Sequence, residues 1–258
     1  MDLGLKNKRV LITGGTKSIG RAIVDTFLAE GAVVGFCARD EKLVKEREKE
    51  WQSKQGRVSG AALDVTDDPA LKKWIDGFAA QGGIDHFIAN VSALGTDDSP
   101  AGWAKSIAID IVSTVESVRH AMPHLLKSGA KDGAGATCTI IGTVSLNEAG
   151  PGPVQPYRSV KAALVPFVKS LSIEMAPKGV RVNMVSPGSI LEDGNTWGRQ
   201  RDAGSERYQK TLARNPMGRM GTPQEVAACV AFLAGTPASF VSGANFIVDG
   251  AITTRVQY

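Results

Sequence analysis

Short apolar runs alternate with longer amphipathic segments along the whole chain. The apolar runs contain few polar positions, which is typical of strands that are covered on both faces. These runs predict seven strands, at 9–13, 33–37, 58–63, 84–89, 137–142, 180–186 and 245–248. The segments between them have helical periodicity, near 19–30, 41–54, 68–80, 103–127, 157–176 and 223–234. This alternation predicts an α/β fold with a central, mainly parallel seven-stranded sheet that is doubly wound by right-handed crossovers.

Two segments do not follow the alternation. Residues 129–135 form a loop of Gly, Ala, Lys and Asp before the fifth predicted strand. Residues 189–216 are polar, rich in Gly and Arg, and longer than an ordinary connection. Because they follow the carboxyl end of a strand, we predict a lid over a ligand crevice. No stretch resembles a linker or a repeat, so we expect one domain over residues 1–258, with a cofactor half to about residue 130 and a catalytic half after it.

Composition and charge limit the classes of molecule that the protein is expected to bind. The 258 residues carry 30 Lys and Arg against 26 Asp and Glu, a formal charge of +4 that favours an anionic ligand but is far too small for a nucleic-acid-binding surface. The first residues lack the apolar core of a signal peptide, and no run reaches transmembrane length. Cys37, Cys138 and Cys229 lie far apart in apolar stretches, which is typical of reduced thiols. We therefore expect a cytoplasmic protein that acts on a small molecule, with no nucleic-acid or membrane partner.

The first predicted strand runs into a glycine-rich turn, Thr13-Gly14-Gly15-Thr16-Lys17-Ser18-Ile19-Gly20. Glycines permit a sharp turn, and the helix that begins there offers free N–H groups and a positive dipole to a pyrophosphate. The turn resembles the TGxxxGxG fingerprint of the short-chain dehydrogenase/reductase family, with Ser18 in place of the middle glycine. The resemblance implies a Rossmann-type fold whose nicotinamide cofactor contacts this turn, at Gly14, Thr16, Lys17, Ser18, Ile19 and Gly20.

The end of the second predicted strand, Ala38-Arg39-Asp40, indicates which cofactor is used. Members of the family that use NAD typically carry an acidic residue where Ala38 stands. Arg39 and Lys17 instead offer two cations to a 2′-phosphate, and an arginine fork matches phosphate geometry. We therefore predict NADP(H) in preference to NAD(H), with the alternative that a shifted turn brings Asp40 to the ribose.

Further matches follow in the family's order. Asp64-Val65 resembles the Asp-Val pair that contacts the adenine. Residues 88–92 lie where the family has NNAG: Asn90 is retained, whereas Ala89 and Ser92 replace the first Asn and the Gly. Two later segments resemble the strand that closes over the nicotinamide and the family's C-terminal ending, 180–188 and 243–250. The resemblance implies further cofactor contacts, at Asp64, Val65, Asn90, Tyr157, Lys161, Pro187, Gly188 and Ile190.

Tyr157 and Lys161 stand four residues apart on a predicted helix, so both side chains lie on one face. A neighbouring ammonium favours the phenolate, which predicts that the pKa of Tyr157 is lowered from about 10 toward working pH. Such a tyrosine donates a proton to a substrate oxygen during reduction and accepts one during oxidation. The pair follows the fifth predicted strand, which is where the family carries its YxxxK motif.

The two other members of the family's catalytic set are altered here. A serine normally ends the fifth strand and bonds the substrate oxygen; strand-end alignment favours Thr143 for this role, and Ser145 is the alternative if the strand runs longer. Asp110 occupies the place of an asparagine whose backbone carbonyl holds a relay water linked to the lysine. The resemblance therefore implies that Asp110 supports the proton relay, while its carboxylate partly neutralises the Lys161 cation. Glu192 makes the predicted site more acidic still.

Several other signals receive a structural interpretation. His120 and His124 have a metal-like spacing, but no third ligand lies nearby in the sequence, so we predict no metal site. His86 is assigned to packing, and Pro166 should kink the tyrosine-bearing helix. The helix at 223–234 has an apolar face that is either core or half of a subunit interface, formed by Val226, Val230, Phe232 and Leu233. The family resemblance favours the interface, in a homodimer or homotetramer.

Together these features predict an NADP(H)-dependent oxidoreductase that transfers a hydride between the nicotinamide and a carbonyl or alcohol substrate. Tyr157 is the predicted acid and base, and Lys161 its activator and a ribose ligand. The substrate pocket is expected from three segments, 93–100, 145–156 and 189–216.

Three alternatives stay open. The first is an imine or iminium substrate, which an acidic pocket with Asp110, Glu148 or Glu192 favours. The second is 3-oxoacyl-carrier-protein reduction, with basic docking residues at the pocket mouth, for which the candidates are Lys127, Lys131 and Lys178. The third is a non-catalytic NADP(H)-sensing protein that keeps the fold while its active site drifts.

Overall fold

The computed structural model describes residues 1–129, 135–146 and 154–255. Within these residues seven parallel strands form one sheet in the order β3-β2-β1-β4-β5-β6-β7. The strands are β1 Arg9–Thr13, β2 Val33–Ala38, β3 Arg57–Ala62, β4 His86–Ala89, β5 Ala136–Ile141, β6 Val180–Pro187 and β7 Asn245–Val248. The predicted single-domain, Rossmann-type parallel sheet is therefore confirmed, and every predicted strand corresponds to an observed one.

Helices cover both faces of the sheet. They are α1 Ser18–Ala29, α2 Glu41–Ser53, α3 Asp68–Ala79, α4 Pro100–Ser106, α5 Ser113–Gly129, α6 Pro156–Ala162, α7 Leu164–Met175, α8 Thr196–Asp202, α9 Glu206–Arg214 and α10 Pro223–Ala234. Because successive strand residues point to opposite faces, Ile12 packs into a core beneath α1 and α10, whereas Leu11 packs into a second core beneath α3, α5 and α7. This two-faced burial explains why the strands lack polar alternation.

Two predicted helices are interrupted in the structure. The segment predicted as one helix over 103–127 consists of α4, a π-helical turn at Ile107–Val112, and α5. The segment predicted at 157–176 divides at Ala163, between α6 and α7. Pro166 has no N–H to donate to the carbonyl four residues earlier, which accounts for the second break.

The segment predicted as a lid, 189–216, contains two short helices, α8 and α9, where the sequence analysis expected only a long loop. Each has a local N-cap: Asn195 Oδ1 accepts from Gly198 N at 2.9 Å, and Ser205 Oγ accepts from Tyr208 N at 3.2 Å. A bridge between Ile190 and Gly221 joins the start of the segment to a residue just beyond its end. A lid role remains a prediction.

The apolar face of α10 lies largely inside the protomer. Val226, Val230 and Leu233 are fully buried in the core that α10 shares with α1, so these residues do not form a subunit interface. Phe232 is only partly buried, and its ring lies 6.4 Å from that of Phe246. Among the described residues, no helix is long and apolar enough to span a membrane.

Candidate functional site

The carboxyl ends of all seven strands meet at one edge of the sheet. The sheet order places β1 beside β4, although the chain continues from β1 to β2 and β3 before it returns. This reversal is the switch point at which doubly wound sheets bind ligands. The glycine-rich turn after β1, residues 90–95 after β4, Thr143 after β5 and Gly188 after β6 all follow strand ends at this edge.

The glycine-rich turn is held against the end of β4. Gly14 has a φ of +76°, which favours glycine. A Cβ on Gly20 would lie 1.9 Å from the Gly14 carbonyl oxygen, so only glycine fits there. Asn90 Nδ2 donates to the Thr13 and Gly14 carbonyls at 3.1 and 3.0 Å. Asn90 therefore fixes the shape of the turn, and the structure brings these predicted cofactor residues together.

Ser18 has a left-handed backbone conformation, which glycine adopts more readily than serine. Its φ is +46°, in the left-handed region that costs an L-residue about 1–2 kcal/mol. α1 begins at Ser18, and the N-cap residue Lys17 makes no side-chain cap hydrogen bond. The first N–H groups of α1 are thus available to an anionic ligand beside Thr16, which is buried, and Ile19.

Charged residues surround the end of β2. Lys17 and Arg39 are exposed, as is Asp64. The pKa of Asp64 is lowered by a hydrogen bond from the Thr66 N–H, and the charge of Arg39 acts in the same direction. Asp40 is occupied in another way: it is the N-cap of α2 and accepts from Leu43 N at 3.0 Å. The carboxylate next to Arg39 is therefore engaged by the backbone of its own helix. Val65, after Asp64, is buried.

Lys161 and Asp110 form a buried ion pair at the same sheet edge. Their side chains are 2% and 0% exposed, and Lys161 Nζ lies 3.6 Å from Asp110 Oδ1. Lys161 Nζ also donates to the Ile141 carbonyl at 3.1 Å. Burial lowers the pKa of Lys161, and the neighbouring Asp110 charge opposes that change. The ammonium is thus anchored between the end of β5 and the π-helical turn.

Asp110 is further tied to the loop after β4. Its Oδ1 accepts from Ser92 Oγ at 2.6 Å and from Ala93 N at 3.3 Å. Its Oδ2 is buried and makes no hydrogen bond to any residue in the described ranges. In the sequence, Ser92 and Asp110 are separate departures from the family pattern, and their contact was not predicted. Because both residues depart from the family pattern, the two departures together were the signal from which this contact could have been inferred.

Tyr157 has an environment that contradicts the predicted lowering of its pKa. Burial raises the pKa of Tyr157 to about 12, the Asp110 charge acts in the same direction, and a side-chain hydrogen bond with Thr143 opposes both. The prediction is wrong because it considered the Lys161 ammonium alone, whereas Asp110 compensates that charge and burial disfavours the phenolate. The surroundings of Tyr157 therefore favour its protonated form.

Of the two candidate hydroxyls, the structure places Thr143 beside Tyr157. Thr143 is buried at the end of β5 and shares the hydrogen bond with the phenol. Ser145 lies in the 3₁₀ turn Val144–Leu146, and its N–H donates to Thr143 Oγ1 at 3.2 Å. The Tyr157 N–H donates to the Gly95 carbonyl at 3.4 Å, which joins the loop after β4 to the start of α6.

The residues after β6 complete the edge. The Gly188 N–H donates to the Val248 carbonyl at 2.9 Å, and a Cβ at Gly188 would lie 2.8 Å from Asp249 Cα. Pro187, the last residue of β6, and Ile190 are both buried. Glu192 follows at partial exposure. Two residues named in the alternative predictions lie outside the described residues: Glu148, expected in an acidic pocket, and Lys131, expected to dock a carrier protein.

Two of the lysines that were predicted to dock a carrier protein lie near the amino ends of the strands, at the edge of the sheet opposite the candidate site. Lys127 is in the last turn of α5, which leads to the amino end of β5, and Lys178 directly precedes the amino end of β6. Lys178 also pairs with Glu174 at 3.2 Å. Because the candidate site lies at the carboxyl ends of the strands, neither lysine lies at its mouth.

The three histidines of the chain form polar contacts away from the candidate site. His120 Nε2 lies 2.6 Å from Asp68 Oδ1, and ligand atoms of these two residues and Glu116 lie within 4.8 Å of one another, a group that does not include His124. The absence of a metal site stays a prediction. Glu116 is paired with Arg119 at 2.6 Å. His124 pairs with Asp76, and the buried His86 Nδ1 lies 2.9 Å from Thr137 Oγ1.

A parallel sheet that gathers a glycine-rich turn and the helix of Tyr157 and Lys161 at one edge is the architecture of nicotinamide-dependent oxidoreductases. Comparison with known proteins gives the family: the chain belongs to the short-chain dehydrogenase/reductases. A family model described as enoyl-(acyl carrier protein) reductase matches residues 14–253. The isoepoxydon dehydrogenase of Penicillium expansum is 37% identical over 262 residues, which cover 100% of this chain and 99% of that protein.

Solved structures show the same fold with either nicotinamide cofactor. The RhlG/NADP active-site complex of Pseudomonas aeruginosa has a TM-score of 0.86 and 25% identity, over 98% of this chain and 99% of that one. An NADH-dependent reductase responsible for alginate metabolism has a TM-score of 0.85 and 25% identity, over 98% and 99%. Family membership therefore establishes a nicotinamide cofactor and a small-molecule substrate, while the choice of cofactor depends on residues of this chain.

Proposed function

We propose that the protein is an NADP(H)-dependent oxidoreductase that interconverts a carbonyl compound and an alcohol, with Tyr157 as acid and base. The observation that carries this proposal is the placement of Tyr157 beside Thr143, at the sheet edge where Lys161 is anchored. A non-catalytic sensor would have no need to bury a lysine and a carboxylate at 2% and 0% exposure beside a phenol.

The residues at this edge fit a nicotinamide dinucleotide. The glycine-rich turn, which is packed too closely at Gly20 for any side chain, and the uncapped N-terminus of α1 suit a pyrophosphate. The rest of the dinucleotide would be lined by Asn90, Asp64, Val65 and residues 187–190. When bound, the nicotinamide supplies or accepts the hydride.

Preference for NADP(H) is supported by the charges at the end of β2. Lys17 and Arg39 are exposed cations, and Ala38 provides no carboxylate for a ribose hydroxyl. Asp40 is engaged as the N-cap of α2, which argues against the alternative that it reaches the ribose. A 2′-phosphate would pair with both cations, and the arginine fork can bond it bidentately.

The proton transfer is assigned to Tyr157. During reduction the phenol donates its proton to the substrate oxygen while the carbonyl carbon receives the hydride, so that an alcohol forms and the phenolate regains a proton from solvent. Thr143 holds the same oxygen through its hydroxyl, and Lys161 stabilises the phenolate. Asp110 supports this relay. The raised pKa of Tyr157 suits proton donation, which is the step that reduction requires of it.

A carbonyl or alcohol substrate is also supported by the relative from Penicillium expansum, which is named as a dehydrogenase. The imine alternative retains Asp110 and Glu192 as its supporting residues. The carrier-protein alternative loses Lys127 and Lys178 as docking residues, because both lie at the opposite edge of the sheet.

A spectrophotometric screen of NADPH and NADH oxidation tests the proposal. The substrates are ketones, β-ketoacyl thioesters and cyclic imines, and cofactor binding is measured in parallel by fluorescence. We expect turnover of ketones with NADPH in preference to NADH. Turnover of imines or thioesters alone would shift the proposal to the corresponding alternative. Tight NADPH binding without any turnover would overturn the enzyme proposal in favour of a sensor.

A further inference from the structure

Two departures from the family fingerprint meet at a single contact. Ser92 stands where NNAG ends in glycine, and Asp110 stands where the family has asparagine. Ser92 Oγ donates to Asp110 Oδ1 at 2.6 Å. A glycine has no side-chain donor, whereas a carboxylate that is 0% exposed requires donors. The hydroxyl at 92 thus supplies the charge-assisted hydrogen bond that a carboxylate at 110 needs.

The contact links two elements to the active-site lysine. Asp110 lies in the π-helical turn, and its Oδ1 lies near three groups at once: Ser92 Oγ at 2.6 Å, Ala93 N at 3.3 Å and Lys161 Nζ at 3.6 Å. The distance to the lysine is longer than a hydrogen bond. The carboxylate is therefore anchored to the loop after β4 and acts on Lys161 chiefly through its charge.

The charges that act on Asp110 come mainly from one element. α4, α5 and α6 pack against the π-helical turn. On α6, Lys161 forms the ion pair and Tyr157 feels the carboxylate charge. Lys105 on α4 interacts with Asp97, and Glu116 on α5 is paired with Arg119. Lys161 is therefore the cation that Asp110 compensates.

Building on the proposed function, we propose that Ser92 is a positioning residue, and that the Ser92–Asp110 pair sets the pH at which Tyr157 exchanges its proton by holding the compensating carboxylate 3.6 Å from Lys161, short of a direct hydrogen bond. With this charge in place, Lys161 supports the phenolate less strongly. The pair favours proton donation to a carbonyl near neutral pH and displaces alcohol oxidation to alkaline pH.

Four variants test the proposal: Ser92→Ala, Asp110→Asn, the double variant, and Ser106→Ala as a matched control. Ser106 is a buried serine at the end of α4, and its hydroxyl makes no hydrogen bond to any described residue. The first readout is the pH profile of kcat for alcohol oxidation. The second is the ultraviolet titration of Tyr157 in cofactor-free protein, by difference from Tyr157→Phe. The chain has three tyrosines, so this subtraction isolates one phenol.

We expect Asp110→Asn to move both titrations to lower pH by about one unit, because the compensating charge is lost. Ser92→Ala should move them to higher pH, because the carboxylate released from Ser92 turns to Lys161. Within the Asp110→Asn background, Ser92→Ala should have no further effect, and Ser106→Ala should have none at all. Ser92→Thr, which keeps the hydroxyl, should restore the original profile.

Unchanged titrations in folded Asp110→Asn would overturn the proposal, as would an effect of Ser92→Ala that persists without the carboxylate. If Asp110→Asn fails to fold, the comparison of Ser92→Ala with Ser92→Thr still tests the proposal. Equal titrations of Tyr157 in these two variants would refute a role for the Ser92 hydroxyl. Absence of turnover in the unmodified enzyme would refute the proposed function, while the ultraviolet titration would still test the pair.

Discussion

At the scale of single residues, burial determines what the site can do as much as residue type does. Lys161 and Tyr157 have the spacing of a catalytic pair, but near Asp110 the lysine is buried and the tyrosine is half-buried. Desolvation disfavours the charged form of each, so it lowers the pKa of the lysine and raises that of the tyrosine. The residue types and spacing were predictable from the sequence. The direction of the tyrosine shift was not, because it depends on packing.

Replacement of Thr143 by valine tests which hydroxyl holds the substrate oxygen. Valine keeps the branched shape at the end of β5 but removes the hydrogen bond shared with Tyr157. We expect kcat for ketone reduction to fall by about 10²-fold, as for loss of a donor to a reacting oxygen. Ser145→Ala, measured in the same steady-state assay, should reduce kcat far less. The reverse order would reassign the role to Ser145.

Ser18 is strained at its position in the glycine-rich turn, since its φ is +46°. Ser18→Gly removes the cost of the left-handed conformation and adds a smaller cost through the flexibility of the unfolded chain. We expect the free energy of unfolding in urea to increase by about 0.5–1 kcal/mol. Ser18→Ala keeps the strain and serves as the control. A gain from alanine equal to that from glycine would show that the strain is not the cause.

At the scale of elements, the strands and most helices followed the hydrophobic pattern closely. The elements that differed are those that serve the site: the π-helical turn that carries Asp110, the break at Ala163, and the helices of the 189–216 segment. The π-helical turn has only six residues, which is too short for its different period to be visible in the apolar pattern, so the sequence gives no signal for it. Pro166 did indicate the break in the tyrosine-bearing helix.

The start of α1 and the end of β2 together should select the cofactor. Lys17→Ala and Arg39→Ala each remove one cation expected to pair with the 2′-phosphate. We expect each to raise the Kd for NADPH about tenfold, and to leave that for NADH unchanged. Lys54→Ala, an exposed cation at the opposite end of α2, is the matched control. Equal losses for both cofactors would indicate a role in the turn itself and not in phosphate recognition.

At the scale of the whole molecule, the parallel sheet brings residues that are distant in sequence to one edge. The order of the motifs predicted this gathering, since the carboxyl ends of parallel strands share an edge. The same topology excludes Lys127 and Lys178, which precede strands, from the site. Contacts between loops, such as that of Ser92 with Asp110, depend on angles and distances that a linear pattern does not contain.

The buried thiols of the core beneath α3, α5 and α7 predict how stability depends on pH. Burial raises the pKa of Cys37 and of Cys138 to about 12 each. Above pH 9 the unfolded chain therefore loses protons that the folded chain keeps, so stability falls as pH rises, by up to about 1.4 kcal/mol per pH unit for each thiol. Urea unfolding from pH 8 to 10.5 should show this decline. Cys138→Ala should flatten it, and an unchanged slope in that variant would contradict the assignment.

The central claim, that Tyr157 transfers the proton, is tested most directly by the rate of ketone reduction with NADPH in Tyr157→Phe. This variant removes one hydroxyl and keeps the ring. We expect kcat to fall by about 10²-fold or more while the Kd for NADPH stays unchanged, because general acid catalysis contributes a factor of that size. A variant that binds NADPH normally and retains kcat within a few fold of the unmodified enzyme would contradict the account.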